Sequence, residues 1–239
     1  MPFDYDQLKT GYYDEVYRRR RGVQSKWHHL KFARVRRAMP AFDRHLDIGC
    51  GPGTFISTLD GPGTSIGVDI SAAQVQYARR HYGSALHEFL TLHGEGLPFA
   101  DDTFDVVTML ELIEHLPQSQ GVALLREVRR VLRSGGCLIL TTPNYASLWP
   151  LLECLVNRLS PVSYADQHIT HYDGPFLRRL LVRCGYRVAV LDTHPLAAPF
   201  CAALGWRLAD IVDKIESALL IRRLGHLLIA KGIKPCRPN

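Results

Sequence analysis

Beyond residue 40 the chain alternates short apolar runs with stretches whose apolar residues recur every three or four positions, and Gly or Pro stands at the joins. This pattern predicts strands near 44–49, 64–69, 86–92, 104–110, 135–141, 186–192 and 226–231. Several are continuous apolar runs, as expected of strands covered on both faces. Helices are predicted over about 53–60, 71–82, 118–133, 145–158 and 174–184, the last closed by Gly185. Strand and helix in alternation imply right-handed crossovers and an α/β architecture, a doubly wound, seven-stranded, mostly parallel sheet. No internal repeat or low-complexity tract interrupts it.

Two segments exceed that minimal plan. Residues 1–40 precede the first strand and read as helical through Val23, Trp27, Leu30, Phe32 and Val35, which predicts an N-terminal helical cap. Residues 195–223 lie between the last two strands, where a tight hairpin would suffice. Leu204, Leu208, Ile211, Ile215 and Leu219 recur there at helical spacing, predicting an inserted amphipathic helix. Its ordinary role is to complete the core; its sharper role is a wall for a greasy substrate or a foot on a membrane surface.

A chain of 239 residues, 46% hydrophobic and 22% charged, is long enough for a full core and unlike a disordered or fibrous protein. No window approaches eighteen consecutive apolar residues, and Met1 to Asp6 lacks the basic-then-apolar order of a signal peptide, so a cytoplasmic location is expected. Cys50, Cys137, Cys154, Cys184, Cys201 and Cys236 are scattered without a CxxC pair and read as reduced and mainly buried, not as a zinc site. Charge is uneven. Residues 1–37 carry ten Lys/Arg against four Asp/Glu, which accounts for the whole net charge of +6. The run Arg18 to Arg21, followed by Lys26, Lys31, Arg34, Arg36 and Arg37, could attract phosphate, anionic lipid or an acidic substrate, while the plainer reading is a solvated helix face. Tyr12, Tyr13, Tyr17 and Trp27 are expected to pack the cap on the core rather than to stack on bases.

The central motif is Leu46-Asp47-Ile48-Gly49-Cys50-Gly51-Pro52-Gly53-Thr54, at the end of the first strand. Glycines at this turn let a ligand approach the backbone at the carboxyl edge of the sheet. The spacing is G-x-G-x-G, not the G-x-G-x-x-G that seats a diphosphate. An acid at Asp47 is a poor neighbour for phosphate and a good one for a cationic amino-acid head group. The second strand closes at Gly67-Val68-Asp69-Ile70-Ser71, offering a carboxylate to the two hydroxyls of a ribose. An adenosine without phosphates suits both features. Here the sequence resembles the class I S-adenosylmethionine (SAM) methyltransferases, with their Rossmann-like sheet, over roughly residues 40–143. Gly96-Leu97-Pro98-Phe99 running into strand four, and Leu132-Arg133-Ser134-Gly135-Gly136 before strand five, extend the likeness.

The resemblance implies SAM as cofactor, with Asp47, Gly49, Cys50, Gly51 and Gly53 around the methionine part and Asp69, Ile70 and Ser71 at the ribose. It implies His93, Gly94 and Glu95 beside the adenine and Leu110 at the end of strand four. In relatives with this loop an acid usually stands where this chain has His93, so backbone groups at Gly94 and Glu95 would read the adenine edge. One domain over 1–239 is expected: the cap 1–40, a SAM-binding core 41–143 and an acceptor-side region 144–239.

Methyl transfer from a sulfonium is a direct displacement, so the protein must align the acceptor and exclude water, adding a base only where the acceptor is protonated. Strand four ends in Glu111-Leu112-Ile113-Glu114-His115-Leu116-Pro117. This Glu-x-x-Glu-His pattern resembles ubiquinone-biosynthesis O-methyltransferases, which implies Glu114 and His115 as catalytic candidates. A weaker implication is Mg²⁺ held by Glu111, Glu114 and His115. A loop, Tyr164 to Tyr172, adds His168 as a second candidate base, although each histidine alone also reads as a hydrogen-bonded turn residue. No Asn/Asp-Pro-Pro-aromatic sequence follows strand four, so a small molecule rather than nucleic acid is the expected partner. The preferred acceptor is an oxygen on a phenol, quinol, lipid-linked or sugar compound, and a peripheral contact with the inner membrane surface is a further expectation. Small-molecule N-methylation and non-catalytic SAM binding are the competing readings.

Overall fold

The computed structural model describes residues 9–93, 96–152, 168–195, 197–218 and 225–236. Strands β1 (Arg44–Ile48), β2 (Thr64–Asp69), β3 (His87–Thr91), β4 (Phe104–Leu110), β5 (Leu132–Pro143), β6 (Arg187–His194) and β7 (Leu227–Ile233) form one sheet in the order β3-β2-β1-β4-β5-β7-β6. The first five run parallel, and β7 is antiparallel to both β5 and β6. Helices α1 (Tyr12–Arg18), α2 (Gly22–Ala38), α3 (Ala72–Tyr82), α4 (Gln118–Val131), α5 (Gly174–Arg183), α6 (Ala198–Cys201) and α7 (Trp206–Ala218) complete the described elements.

The pleat sorts the central strands onto two cores. Val107, Met109, Leu138 and Leu140 pack with Leu125 and Val128 of α4 and Leu177 and Leu181 of α5. Their neighbours Val106, Cys137 and Ile139 face the other way and meet Phe32 and Val35 of α2. The cap is therefore one of the sheet's two covering layers. Burying a side chain such as Phe32 or Val35 stabilises by about 1.5–3 kcal/mol, enough to hold α2 in place. The chain runs from β1 outward to β3 and returns to β4 on the opposite side, so β1 and β4 flank the point where the strand order reverses and α/β sheets bind ligands.

Several expectations need correction. No α-helix forms over 53–60: the stretch makes only a 3₁₀ turn at Ile56–Thr58, closed by Leu59 in an extended conformation. The 145–158 helix begins only near residue 149, after a turn in which the Asn144 side chain accepts from Ala146 N, and its part beyond residue 152 lies outside the described residues. The basic run is not simply a solvated face. Arg18 to Arg21 are exposed where α1 breaks from α2, but Lys26 and Lys31 are 2% and 4% exposed. The inserted helix does not complete the core with its leucines, since Leu204, Leu208, Ile211 and Ile215 are all exposed while Ala209 and Glu216 are buried. Leu219 lies outside the described residues. Cys50, Cys137 and Cys184 are buried free thiols, Cys201 is half-buried and Cys236 exposed; Cys154 is not among the described residues.

Candidate active site

The loop after β1 passes through three glycines with positive φ, +73°, +51° and +78° at Gly49, Gly51 and Gly53. Gly53 is fixed by packing: a Cβ there would stand 2.8 Å from the Phe89 ring. At Gly51 a Cβ would meet nothing within 4 Å, so that side of the loop is open toward the crevice. Asp69 at the end of β2 ties the loop down. Its Oδ2 accepts from Gly51 N at 2.8 Å and its Oδ1 from Ser71 N at 2.9 Å. Burial nonetheless raises its pKa. Cys50 is buried beneath the loop, Ile70 beside Asp69 is 67% exposed, and Ser71 caps α3. His93 is exposed, and Gly94 and Glu95 are outside the described residues.

Asp47 is only 2% exposed. Thr108 Oγ1 donates to its Oδ1 at 2.6 Å, and His45 Nε2 lies 2.8 Å from the same hydroxyl. His45 Nδ1 reaches Ser65 Oγ at 3.1 Å, so a polar chain crosses three adjacent strands. Burial pushes His45 down to about 3, which keeps it neutral. Since Thr108 gives its only proton to Asp47, His45 Nε2–H is the donor to Thr108. Burial also raises Asp47, to about 7, with Asp69 adding repulsion. Such an acid gains strongly from a neighbouring cation.

Across the crevice, β4 ends at half-buried Leu110, and Glu111 turns the chain at φ +53°. Glu111 N donates to Thr141 O at 3.0 Å, and its carboxylate forms a very short ion pair with Lys31 from the cap. Burial pushes the acid up, but Lys31, His28 and His168 together hold it below its ordinary value. The next three residues, Ile113 to His115, make a 3₁₀ turn. Glu114 in it is fully buried, and neither carboxylate oxygen has a hydrogen-bond partner among the described residues. Burial first, then Glu111, raises it to about 8, so at neutral pH it is a carboxylic acid. Thr142 Oγ1 and Tyr172 Oη are likewise buried and unpartnered among the described residues. Glu114 also helps raise the Tyr172 phenol, after burial, to about 12.

The three catalytic candidates come together although 53 positions separate His115 from His168. Glu114 O accepts from Ile169 N and Thr170 N at 2.8 and 3.0 Å, pinning the later loop onto the turn. The imidazoles of His115 and His168 are 5.2 Å apart, and ligating atoms of Glu114, His115 and His168 all lie within 4.8 Å of one another. His168 Nδ1 is 2.8 Å from Tyr145 Oη. Tyr145 stacks on His171 at 3.9 Å, and Trp149 stands 6.5 Å from His168 and 5.5 Å from Trp27 of the cap. The walls are thus aromatic and the floor holds titratable groups. Of the three expected Mg²⁺ ligands, Glu111 is paired with Lys31, and the group whose ligating atoms lie within 4.8 Å of one another is Glu114, His115 and His168 instead.

The sequence pattern does not mark His45, Thr108, Thr142 or Trp149 as site residues, nor Lys31 as the partner of Glu111. A histidine inside the first strand, two positions before Asp47, was the visible sign of the polar chain; Lys31 was hidden in the basic run.

Residues 46–140 match the family model of a methyltransferase domain. A malonyl-acyl-carrier-protein O-methyltransferase of Legionella pneumophila is 33% identical over 130 residues, covering 53% of this chain and 45% of that one. An O-methyltransferase of Aspergillus sclerotiorum is 27% identical over 206 residues, 77% of this chain and 73% of that one. The chain spans about half the length of several curated relatives it matches, the Legionella protein among them. A solved SAM-dependent methyltransferase from Thermotoga maritima shares the fold, with TM-score 0.68 and 18% identity over 94% of this chain and 95% of that one.

Proposed function

We propose that this chain, which carries a class I SAM-dependent methyltransferase domain, transfers the methyl group of SAM to an oxygen of a small hydrophobic acceptor. In this reading SAM lies across the β1–β4 crevice. Its ammonium faces Asp47, its methionine part crosses the open side of Gly51, its ribose hydroxyls take the remaining lone pairs of Asp69, and Ile70 covers the adenine. The acceptor enters between the cap and the Tyr145–His168 wall.

His168 is the base in this proposal. Tyr145 Oη, 2.8 Å from its Nδ1, fixes the ring beside the acceptor hydroxyl whose proton it would take. Glu114, protonated, donates to the acceptor or its neighbouring oxygen, and His115 orients it. A hydroxyl must lose its proton as the C–O bond forms, whereas a neutral amine needs no base before attack. The observation that carries the reading is the meeting of Glu114, His115 and His168 within 4.8 Å at the end of β4. O-methyltransferases among the relatives agree with it.

The test is a panel of a catechol, an alkyl hydroquinone and a primary amine of similar size, each assayed with methyl-labelled SAM. Turnover of the hydroxyl compounds supports the reading; methylation of the amine alone contradicts it. EDTA is expected to leave the rate unchanged.

A further inference from the structure

Helix α7 wears its polar face inward. Asp210 pairs with the buried Lys26 at 2.5 Å, and Asp213 with Arg34 at 2.9 Å and His194 at 2.5 Å. Ser217 Oγ accepts from Arg34 at 2.8 Å, and Glu216 Oε1 accepts from Ala197 N and Ala198 N at 2.6 and 3.2 Å. These bonds fix the rotation of the helix on the cap. The outer face then carries Leu208, Ile211 and Ile215, whose spacing places them on one stripe, with Leu204 exposed in the turn just before the helix. The three on the stripe are 41%, 55% and 50% exposed, and Leu204 84%. Each exposed Å² of such surface forgoes about 25 cal/mol of burial, and a continuous apolar stripe marks an interaction site more often than scattered residues do.

Charge identifies the occupant. Arg207 and Lys214, both exposed, project from the edge of the stripe, and Arg37 joins Lys214 around an open cleft shared with Asp210, Asp213, Ser217 and Ala218. None of the ion pairs among the described residues uses Arg207, Lys214 or Arg37. Asp210 and Asp213 are already committed to cations of α2, which leaves the outer surface apolar and basic. A second copy meeting this face through a two-fold axis would set the same cations against each other. A bilayer with anionic headgroups takes the stripe between its lipids and the cations at its phosphates.

We infer that α7 is an interfacial foot by which the protein lies on an anionic lipid surface. The inference concerns the surface and stands whatever atom receives the methyl group.

Sedimentation of the full chain with vesicles tests it, using mixed phosphatidylglycerol and phosphatidylcholine against phosphatidylcholine alone. Binding to the anionic vesicles is expected, with weaker binding to neutral ones. The I211E/I215E variant should partition at least about tenfold more weakly, with SAM affinity intact as proof of folding. The R207E/K214E variant, which leaves the stripe alone, should lose the preference for anionic lipid. Parent protein that fails to sediment with anionic vesicles overturns the inference, as do variants that bind like the parent. A lipid-free dimer split by I211E/I215E would also overturn it, making the stripe a contact between copies.

Discussion

Asp47 and Glu114 stand at the ends of neighbouring strands, are buried to nearly the same degree, and are both pushed up toward neutrality by that burial. They differ in what answers them. Asp47 has Thr108, and behind it His45 and Ser65, all supplied by the sheet itself. Around the buried Glu114 stand Lys31 of the cap, Glu111, Thr142 of β5, and His168 and Tyr172 of the later loop. The first acid is held by side chains of three adjacent strands, whose pairing brings together residues as much as 63 positions apart. The second sits in a 3₁₀ turn onto which the later loop is pinned through Ile169 N and Thr170 N. On this contrast the half of the crevice around Asp47 rests on the sheet, and the half around Glu114 rests on the cap and the segments after β4 and β5.

The contrast breaks most sharply at His168. Replacing it with Ala should lower kcat by about 10²–10³-fold with SAM affinity within about twofold of the parent, as expected for loss of a general base. Stopped-flow turnover and calorimetry check the two halves; a matching loss of SAM affinity would mean that the halves are not separable.

Asp47→Asn should do the reverse. Loss of a charge-assisted contact weakens SAM by about 10–100-fold, with a smaller effect on single-turnover rate at saturation. The sign of its stability effect also differs from the usual acid. Asp47 is raised to about 7 in the fold from an ordinary 3.8, so ionising it opposes folding, and that cost grows as pH rises from about 4 through 7. Without ligand, Asn should therefore be the more stable variant at pH 8 and gain little at pH 4, by thermal melts. In the parent, SAM affinity should rise with pH up to about 7 and then level.

Lys31→Met is expected to cost about 2 kcal/mol, because Glu111 is left facing the cap without its cation, and the double variant with Glu111→Leu should recover most of it. Denaturant titrations measure both. The smallest effect is expected at Glu114→Gln, an isostere of the protonated acid. It should match the parent near pH 6 and exceed it in stability above pH 8, where the buried carboxylate of the parent ionises.

The same contrast explains how much could be read in advance. The glycine loop, Asp69 and the strand order depend on local spacing and on runs such as Val106 to Leu110, which a sequence displays directly. His168 could be named from its loop, but its approach to His115 depends on the backbone bonds from Ile169 and Thr170 to Glu114. Lys31 sits in a basic run that looks solvated, and only its contact with Glu111 reveals it as a buried latch. The expected helix over 53–60 is cut to a single 3₁₀ turn that Leu59 closes in an extended conformation. For α7 the periodicity was visible but its direction was not, because the inward pull comes from Lys26 and Arg34, 184 and 179 positions from their partners.

The most direct test of the account is the pH dependence of kcat for the parent and His168→Ala, with a catechol acceptor at saturating SAM. The account predicts a rising limb in the parent that disappears in the variant. Superimposable profiles would contradict it and leave the convergence of Glu114, His115 and His168 without a part in the chemistry.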